Sequence, residues 1–174
     1  MTGPTLSTDR LLLTPPSPGD LDAMASLHGD PAVRARIGLP PASREDTWHR
    51  LLRYIGHWEA LSYGHWLVRD RNTGAFLGEV GLMDSRRATK PGYEGTVEAG
   101  WAFMPAAQGH GHAREATAAM LAWADARGIA RTVAIIGPTN APSIRLAERV
   151  GYRSAGEVTY RDAPILLFER RRPA

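Results

Sequence analysis

The sequence predicts an α/β fold of the α+β kind, with helices packed on a mostly antiparallel sheet. Three observations predict it. Apolar residues recur every three or four positions up to Trp58, every second position between His65 and Phe103, and at helical spacing again after Pro105. The first two strands of the middle segment are joined by a short turn, and a third follows in the order of an antiparallel meander. The 174 residues, 43% hydrophobic, suffice for one substantial core and are short for two; without a repeat or a linker between them, residues 1–174 read as one domain.

The elements follow in order. Leu11, Leu12 and Leu13, bounded by Pro15 and Pro16, suit a buried strand over Arg10 to Thr14. A helix then starts at Ser17-Pro18, because serine caps, proline fits the first helical position, and Asp20 and Asp22 suit the positive end of the helix dipole. Leu21, Met24 and Leu27 form its stripe and Gly29 its stop. Gly38, Pro40 and Pro41 mark a loop from Arg36 to Ala42. A second helix is expected from Ser43, carrying Glu45 and Asp46 in its first turn and a stripe of Trp48, Leu51, Leu52, Ile55 and Trp58.

A hairpin follows, His65 to Arg69 and Phe76 to Met83, joined by a turn at Asp70 to Gly74. Ser85 to Gly95 reads as a polar loop and Thr96 to Phe103 as the next strand. Ala113, Ala116, Met120 and Trp123 define a helix stopping at Gly128; Thr132 to Ile136 is a β-branched strand and Asn140 to Val150 a short helix. Two last strands fit Arg153 to Tyr160 and Ile165 to Arg170. The expected total is about six or seven strands and about four helices.

Composition excludes several kinds of chemistry. Cysteine is absent, which removes disulfides, thiolate metal ligands and a catalytic thiol; any thiol must arrive with a cosubstrate. The charge of +3, from 21 Lys+Arg against 18 Asp+Glu, is mild, and the basic residues form no aromatic-interleaved stripe, so no nucleic-acid partner is expected. No apolar run approaches the ~20 residues of a membrane span and Met1 to Pro4 begin no signal peptide, so a cytoplasmic protein without a membrane partner is expected. Oligomeric state is left open between monomer and homodimer.

The segment from Trp101 to Ala116 carries the most chemistry: a strand, a proline, a loop with Gly109 and Gly111, then a helix. Such a loop turns free amides toward an anion at a helix N-terminus, and glycine permits close approach of a phosphate. His110, His112 and Arg114 can add charge-assisted bonds. Arg114 stands where a dinucleotide fingerprint needs its third glycine, and the Gly-Lys-Ser/Thr of a P-loop is missing.

Gln108-Gly109-His110-Gly111-His112-Ala113 instead resembles the Gln/Arg-x-x-Gly-x-Gly/Ala signature of the GCN5-related N-acetyltransferases (GNAT). The resemblance extends to Thr8-Asp9-Arg10-Leu11-Leu12-Leu13, to Asp30-Pro31-Ala32-Val33, to Glu98-Ala99-Gly100-Trp101, and to Asn140-Ala-Pro-Ser143 with Gly151-Tyr152. Together these look like the RimJ/RimL-like branch, which acetylates the N-termini of ribosomal proteins. The resemblance implies a GNAT-like domain with a twisted sheet splayed at the strand before the loop, and acetyl-CoA as cosubstrate. Its pyrophosphate would rest on Gly109 to Ala113, its pantetheine would run beside Phe103 and Met104, and Asn140 and Ser143 would lie near the thiol.

Acyl transfer to an amine needs a neutral nitrogen, and an α-amine titrates near ~8, so a base or water relay is required. Glu98 is the candidate base. Strand alternation puts it with Gly100, Ala102 and Met104, opposite Val97, Trp101 and Phe103; the plain alternative is a solvated carboxylate or one that only binds a cationic substrate. A backbone amide at Phe103 or Met104 would serve the thioester oxygen. Many family members carry a tyrosine acid seven residues after the asparagine; here that residue is Ala147, and Ser143 is the expected substitute at the sulfur, against an ordinary first-turn serine.

His110 and His112 lack a third ligand, so no metal is expected. The five tryptophans read as core, and Arg170-Arg171-Arg172 as a solvated end. The resulting expectation is direct acetyl transfer from acetyl-CoA to the N-terminal amine of a peptide or protein. The alternatives are a small amine acceptor, such as an aminoglycoside or polyamine, and a non-catalytic acyl-CoA-binding module.

Overall fold

A computed structural model describes residues 3–37, 39–93 and 95–173; Met1, Thr2 and Ala174 of the expected domain, Gly38 of the first loop and Glu94 of the second lie outside the described residues. Eight strands form one sheet: β1 (Leu6–Ser7), β2 (Leu11–Thr14), β3 (His65–Asp70), β4 (Phe76–Met83), β5 (Val97–Phe103), β6 (Arg131–Ile136), β7 (Arg153–Tyr160) and β8 (Ala163–Arg171). Their order across the sheet is β1-β2-β3-β4-β5-β6-β8-β7, antiparallel throughout except between β5 and β6. Five α-helices cover it: α1 (Leu21–His28), α2 (Pro31–Arg36), α3 (Arg44–Leu61), α4 (His112–Ala126) and α5 (Ala141–Arg149).

Caps set the helix starts. The Ser43 hydroxyl accepts from the Asp46 amide at 3.0 Å while the Asp46 carboxylate accepts from the Ser43 amide at 3.2 Å, a reciprocal pair at the helix start expected from the sequence. Ser17 donates to the Asp20 carboxylate from both its amide and its hydroxyl, each at 2.8 Å, though it opens a single 3-10 turn, Pro18–Asp20, ahead of α1. Two elements are additional to those expected. Helix α2 forms because Asp30 accepts from the amides of Ala32 and Val33 and Pro31 needs no partner at the first helical position. Strand β1 is two residues long, too short to show a period, and exists by pairing Leu6 with Leu13.

The core lies on both faces. On one, Ala116, Met120, Leu121 and Ala124 of α4 and Ala147 of α5 pack on Leu13, Trp66, Val68, Val80, Leu82, Ala99 and Phe103. Trp58, Trp66 and Trp123 meet edge to face there, with ring centroids 4.6 to 5.7 Å apart, so these three tryptophans are core as expected. On the other face Met24 of α1 and Leu51 and Tyr54 of α3 cover Leu67. Of the terminal arginines, Arg171 and Arg172 are exposed as expected, but Arg170 differs: it grips Asp125 at 2.8 and 2.6 Å, closing β8 onto the end of α4.

Strands β5 and β6 pair only at Val97–Thr132 and Glu98–Val133 and then diverge. This wedge positions the site. Among the described residues no helix is long and apolar enough to cross a membrane.

Candidate functional site

The wedge has one polar edge on each side. In the β4–β5 ladder the Met104 amide donates to the Leu77 carbonyl at 2.9 Å, and the alternation of antiparallel bonds turns Trp101 and Phe103 the other way, toward the gap. The Met104 amide is therefore occupied, which narrows the expected choice of oxyanion donor to Phe103. Gln108 reaches back to the Phe103 carbonyl at 2.9 Å and fixes the corner where β5 enters the loop.

Gly109 and Gly111 both take left-handed backbone, φ +83° and +80°, which swings successive amides outward. Gly111 caps α4, and the first amides of that helix, His112 to Arg114, have no acceptor within it. At Gly109 the space a Cβ would fill is empty to 4 Å, room that a phosphate oxygen can use. The loop is braced from the far end of the chain. Arg10 donates from Nη1 to the His110 carbonyl at 3.0 Å and from Nε to Glu115 at 2.7 Å, and the Thr8 hydroxyl bonds the same carboxylate at 2.5 Å. Burial alone would raise the Glu115 carboxyl; the bonds from Thr8 and Arg10 outweigh it and hold the group below its ordinary range.

Across the gap Asn140 caps α5, its Oδ1 accepting from the Ser143 amide at 3.3 Å, and the Ser143 hydroxyl accepts from Trp101 Nε1 at 3.2 Å. Trp101 thus bridges the two walls. The cleft holds about 360 Å³ and is lined by Trp101, Phe103, Gln108, Gly109, Gly111, His112, Ala113, Arg114, Asn140 and Ser143, joined by Arg145 and Arg149 of α5 and Val33, Arg36 and Ile37 of α2. His110 is exposed beside it, with its ring 5.7 Å from that of His112. His112 is half-buried, its Nδ1 3.3 Å from the Ala107 carbonyl. Among the described residues no group of three or more His, Cys, Asp or Glu is disposed to hold a metal ion. Ala147 is wholly buried and offers no hydroxyl.

Glu98 stands at the closed end of the wedge, since its pair with Val133 is the last before the strands part. It is buried, 3% exposed, and so is neither solvated nor unpartnered. Arg87 grips it through Nε and Nη2 at 2.8 Å each, and Tyr93 donates its hydroxyl at 3.0 Å. Burial opposes the charge on Arg87, but Glu98 more than compensates and raises the guanidinium above its ordinary range; burial together with Glu98 likewise raises the Tyr93 phenol.

Residues 10–153 match the family described as the acetyltransferase (GNAT) domain. The chain belongs to the GNAT acetyltransferases. This is a family whose cosubstrate is acetyl-CoA. The chain is similar over 96% of its length to a Bordetella pertussis protein assigned to the GNAT-family acetyltransferases, at 38% identity, 99% coverage of that chain and a TM-score of 0.85. It is 31% identical over 107 residues to YkkB of Bacillus subtilis strain 168, which is 61% of this chain; the match spans 60% of the length of that relative. The fold is shared with RimL, a ribosomal L7/L12 α-N-protein acetyltransferase solved with coenzyme A, at 16% identity, 97% and 98% coverage and a TM-score of 0.78.

On the α1/α3 face of this GNAT sheet lies a buried polar network that the sequence did not reveal. Glu79 accepts from the Tyr54 hydroxyl at 2.9 Å and pairs with His28 Nε2 at 3.2 Å, and His65 stacks flat on Tyr54 at 3.8 Å. Burial, the largest influence, pushes Glu79 up, yet His28, with His65 and Arg50, holds it down to about 2; burial pushes His65 down to about 3. A histidine kept neutral in the fold but free to protonate when unfolded makes stability fall as pH drops below ~6.5, by up to about 1.4 kcal/mol per pH unit. Glu79 adds its own loss only as pH falls from 4.5 toward 2. Urea melts of His65→Phe, which keeps the stacked ring, are therefore expected to be flat between pH 6.5 and pH 5, where the parent chain loses about 2 kcal/mol. An unchanged slope would assign the pH dependence elsewhere.

Proposed function

We propose that this chain transfers acetyl from acetyl-CoA directly to a primary amine, and that its acceptor is the N-terminal amine of a peptide or protein. The observation that carries the reading is the wedge itself, which runs from the left-handed glycines and free amides of Gly109 to Arg114 past the inward edge of Trp101 and Phe103 to Asn140 and Ser143. Phosphate would rest on the amides from Gly109 to Ala113, with His110, His112 and Arg114 as cationic or polar support, and the pantetheine would lie between Met104, Phe103 and Gln108 on one side and Asn140 on the other. Acetyl-CoA supplies the activated thioester and the leaving thiolate.

The chain's own groups do the rest. The Phe103 amide donates to the thioester oxygen as it gains charge. Glu98, fixed by Arg87 and Tyr93, draws the proton from the amine as nitrogen bonds to the acetyl carbon. The Ser143 hydroxyl donates to sulfur as the carbon–sulfur bond breaks, in place of the tyrosine that Ala147 does not provide. With no cysteine in the chain, acetyl passes to the amine without an acyl-cysteine stage. The peptide α-amine is favoured because RimL, whose fold this chain shares, is named for that reaction.

The test is CoA release with peptides, an aminoglycoside and a polyamine as acceptors, and mass spectrometry to locate the acetyl group. Release with peptides, acetylated at the α-nitrogen, is expected. Release with the small amines alone would transfer the acceptor assignment to them, and none at all would leave an acyl-CoA-binding module. Acetyl-CoA at ~100 times its dissociation constant should add about 2.7 kcal/mol of stability, and a melting temperature that does not move would sink the whole reading.

A further inference from the structure

A second depression, of about 550 Å³, opens between the β4–β5 loop and the β7–β8 turn, away from the cofactor cleft. Its charged lining is Arg86, Arg87, Lys90 and Arg161 against Asp162 alone. Arg86 is answered by Asp84 at 2.8 Å and Arg87 by Glu98, whereas Lys90 and Arg161 have no carboxylate partner among the described residues. The groove is thus built with cationic capacity to spare.

Its two walls are joined through the backbone. Lys90 and Thr159 exchange backbone bonds at 3.1 and 2.9 Å, pinning the loop to β7. The Tyr160 ring lies under two guanidinium carbons, that of Arg87 at 5.1 Å and that of Arg161 at 5.3 Å. Of the four non-glycine residues with left-handed backbone among the described residues, three, Arg86, Arg161 and Asp162, line this one groove. Tyr160 pairs with Ala163, so Arg161-Asp162 is a two-residue hairpin turn at which Asn-Gly would fit without strain. Strain of this kind concentrates where a side chain must be aimed.

Arg87 joins the groove to the reaction. Its Nε and Nη2 edge holds Glu98, and its Nη1 donates to the Tyr160 hydroxyl at 3.1 Å. An amine beside Glu98 therefore has the groove immediately behind it. We propose that this groove takes the residues that follow the acetylated amine and selects peptides with carboxylates there, so that the acceptor class is an acidic N-terminus. The inference rests on the α-amine reading above and adds no chemical step to it. Successive residues of an extended peptide advance about 3.3 Å each, so its second to fourth positions extend about 10 Å from the amine, and it is carboxylates there that Lys90 and Arg161 would meet.

The experiment compares three peptides that differ only at positions two to four, which are all Asp, all Asn or all Lys. The Asp peptide is expected to exceed the isosteric Asn peptide about tenfold in kcat/KM, through KM, with the Lys peptide below both. The advantage should shrink as NaCl rises from roughly 0.05 to 0.5 M. It should fall toward unity in Lys90→Ala and in Arg161→Asn, the latter keeping a residue that tolerates left-handed backbone; a melting curve for each establishes that it folds. Equal rates for Asp and Asn peptides, or variants that retain the full ratio, overturn the acidic-acceptor inference and leave the α-amine reading standing. Failure of all three peptides alongside acetylation of a small amine overturns both.

Discussion

Glu98→Gln is expected to lower kcat by about 100-fold, the smaller end of what a positioned base contributes. The defect should be largest at low pH, where an α-amine with an ordinary titration near ~8 is almost wholly protonated and depends most on a proton acceptor. Acetyl-CoA affinity should hardly change, because Glu98 does not line the cofactor cleft. The same substitution leaves Arg87, whose side chain is 24% exposed, facing a neutral amide, so a stability loss of about 2 kcal/mol should accompany the kinetic one. Rates measured well below the variant's melting temperature separate the two effects. Unchanged kinetics with lowered stability would reduce Glu98 to a brace for Arg87.

The second large effect is structural. Gly81→Ala is expected to cost about 3 kcal/mol, read as a fall in the urea midpoint, because a Cβ there would stand 2.3 Å from His65 Cγ and 2.6 Å from His65 Cα. The backbone of β3 cannot retreat without breaking its pairing with β4, which matches His65 to Gly81 directly. Gly100 is the control. It faces Gly81 across the β4–β5 ladder, but its added Cβ would meet the mobile end of Met83 at 2.8 Å, so Gly100→Ala should cost under about 1 kcal/mol. Equal losses at the two positions would show that glycine backbone freedom, and not the His65 ring, is what this part of the sheet requires.

What could be read from the chain was what is local. The capped start of α3, the hairpin at Asp70 to Gly74 and the glycine loop before α4 each carry their signal within a few neighbouring residues. Helix α2 had such a signal in Asp30-Pro31, but six residues give too few apolar positions to reveal a stripe. Of the residues the resemblance assigned to the cosubstrate, Phe103, Gln108, Gly109, Gly111 to Arg114, Asn140 and Ser143 line one cleft because the loop and the α5 cap are contiguous motifs, whereas Met104 and His110 stand outside its lining. The partners of Glu98 were illegible, since Arg87 and Tyr93 come from a loop without pattern. Glu79 sits within an apolar strand, and only the fold brings it His28 from 51 residues away.

The brace between Arg10 and the glycine loop ties together parts of the chain 100 residues apart. A ribosome delivers Arg10 long before it delivers His110 and Glu115, so this brace closes late, although β2 meets its neighbour β3 far sooner. A contact of such sequence separation is slow to find, and a nascent chain that ends before residue 110 cannot make it.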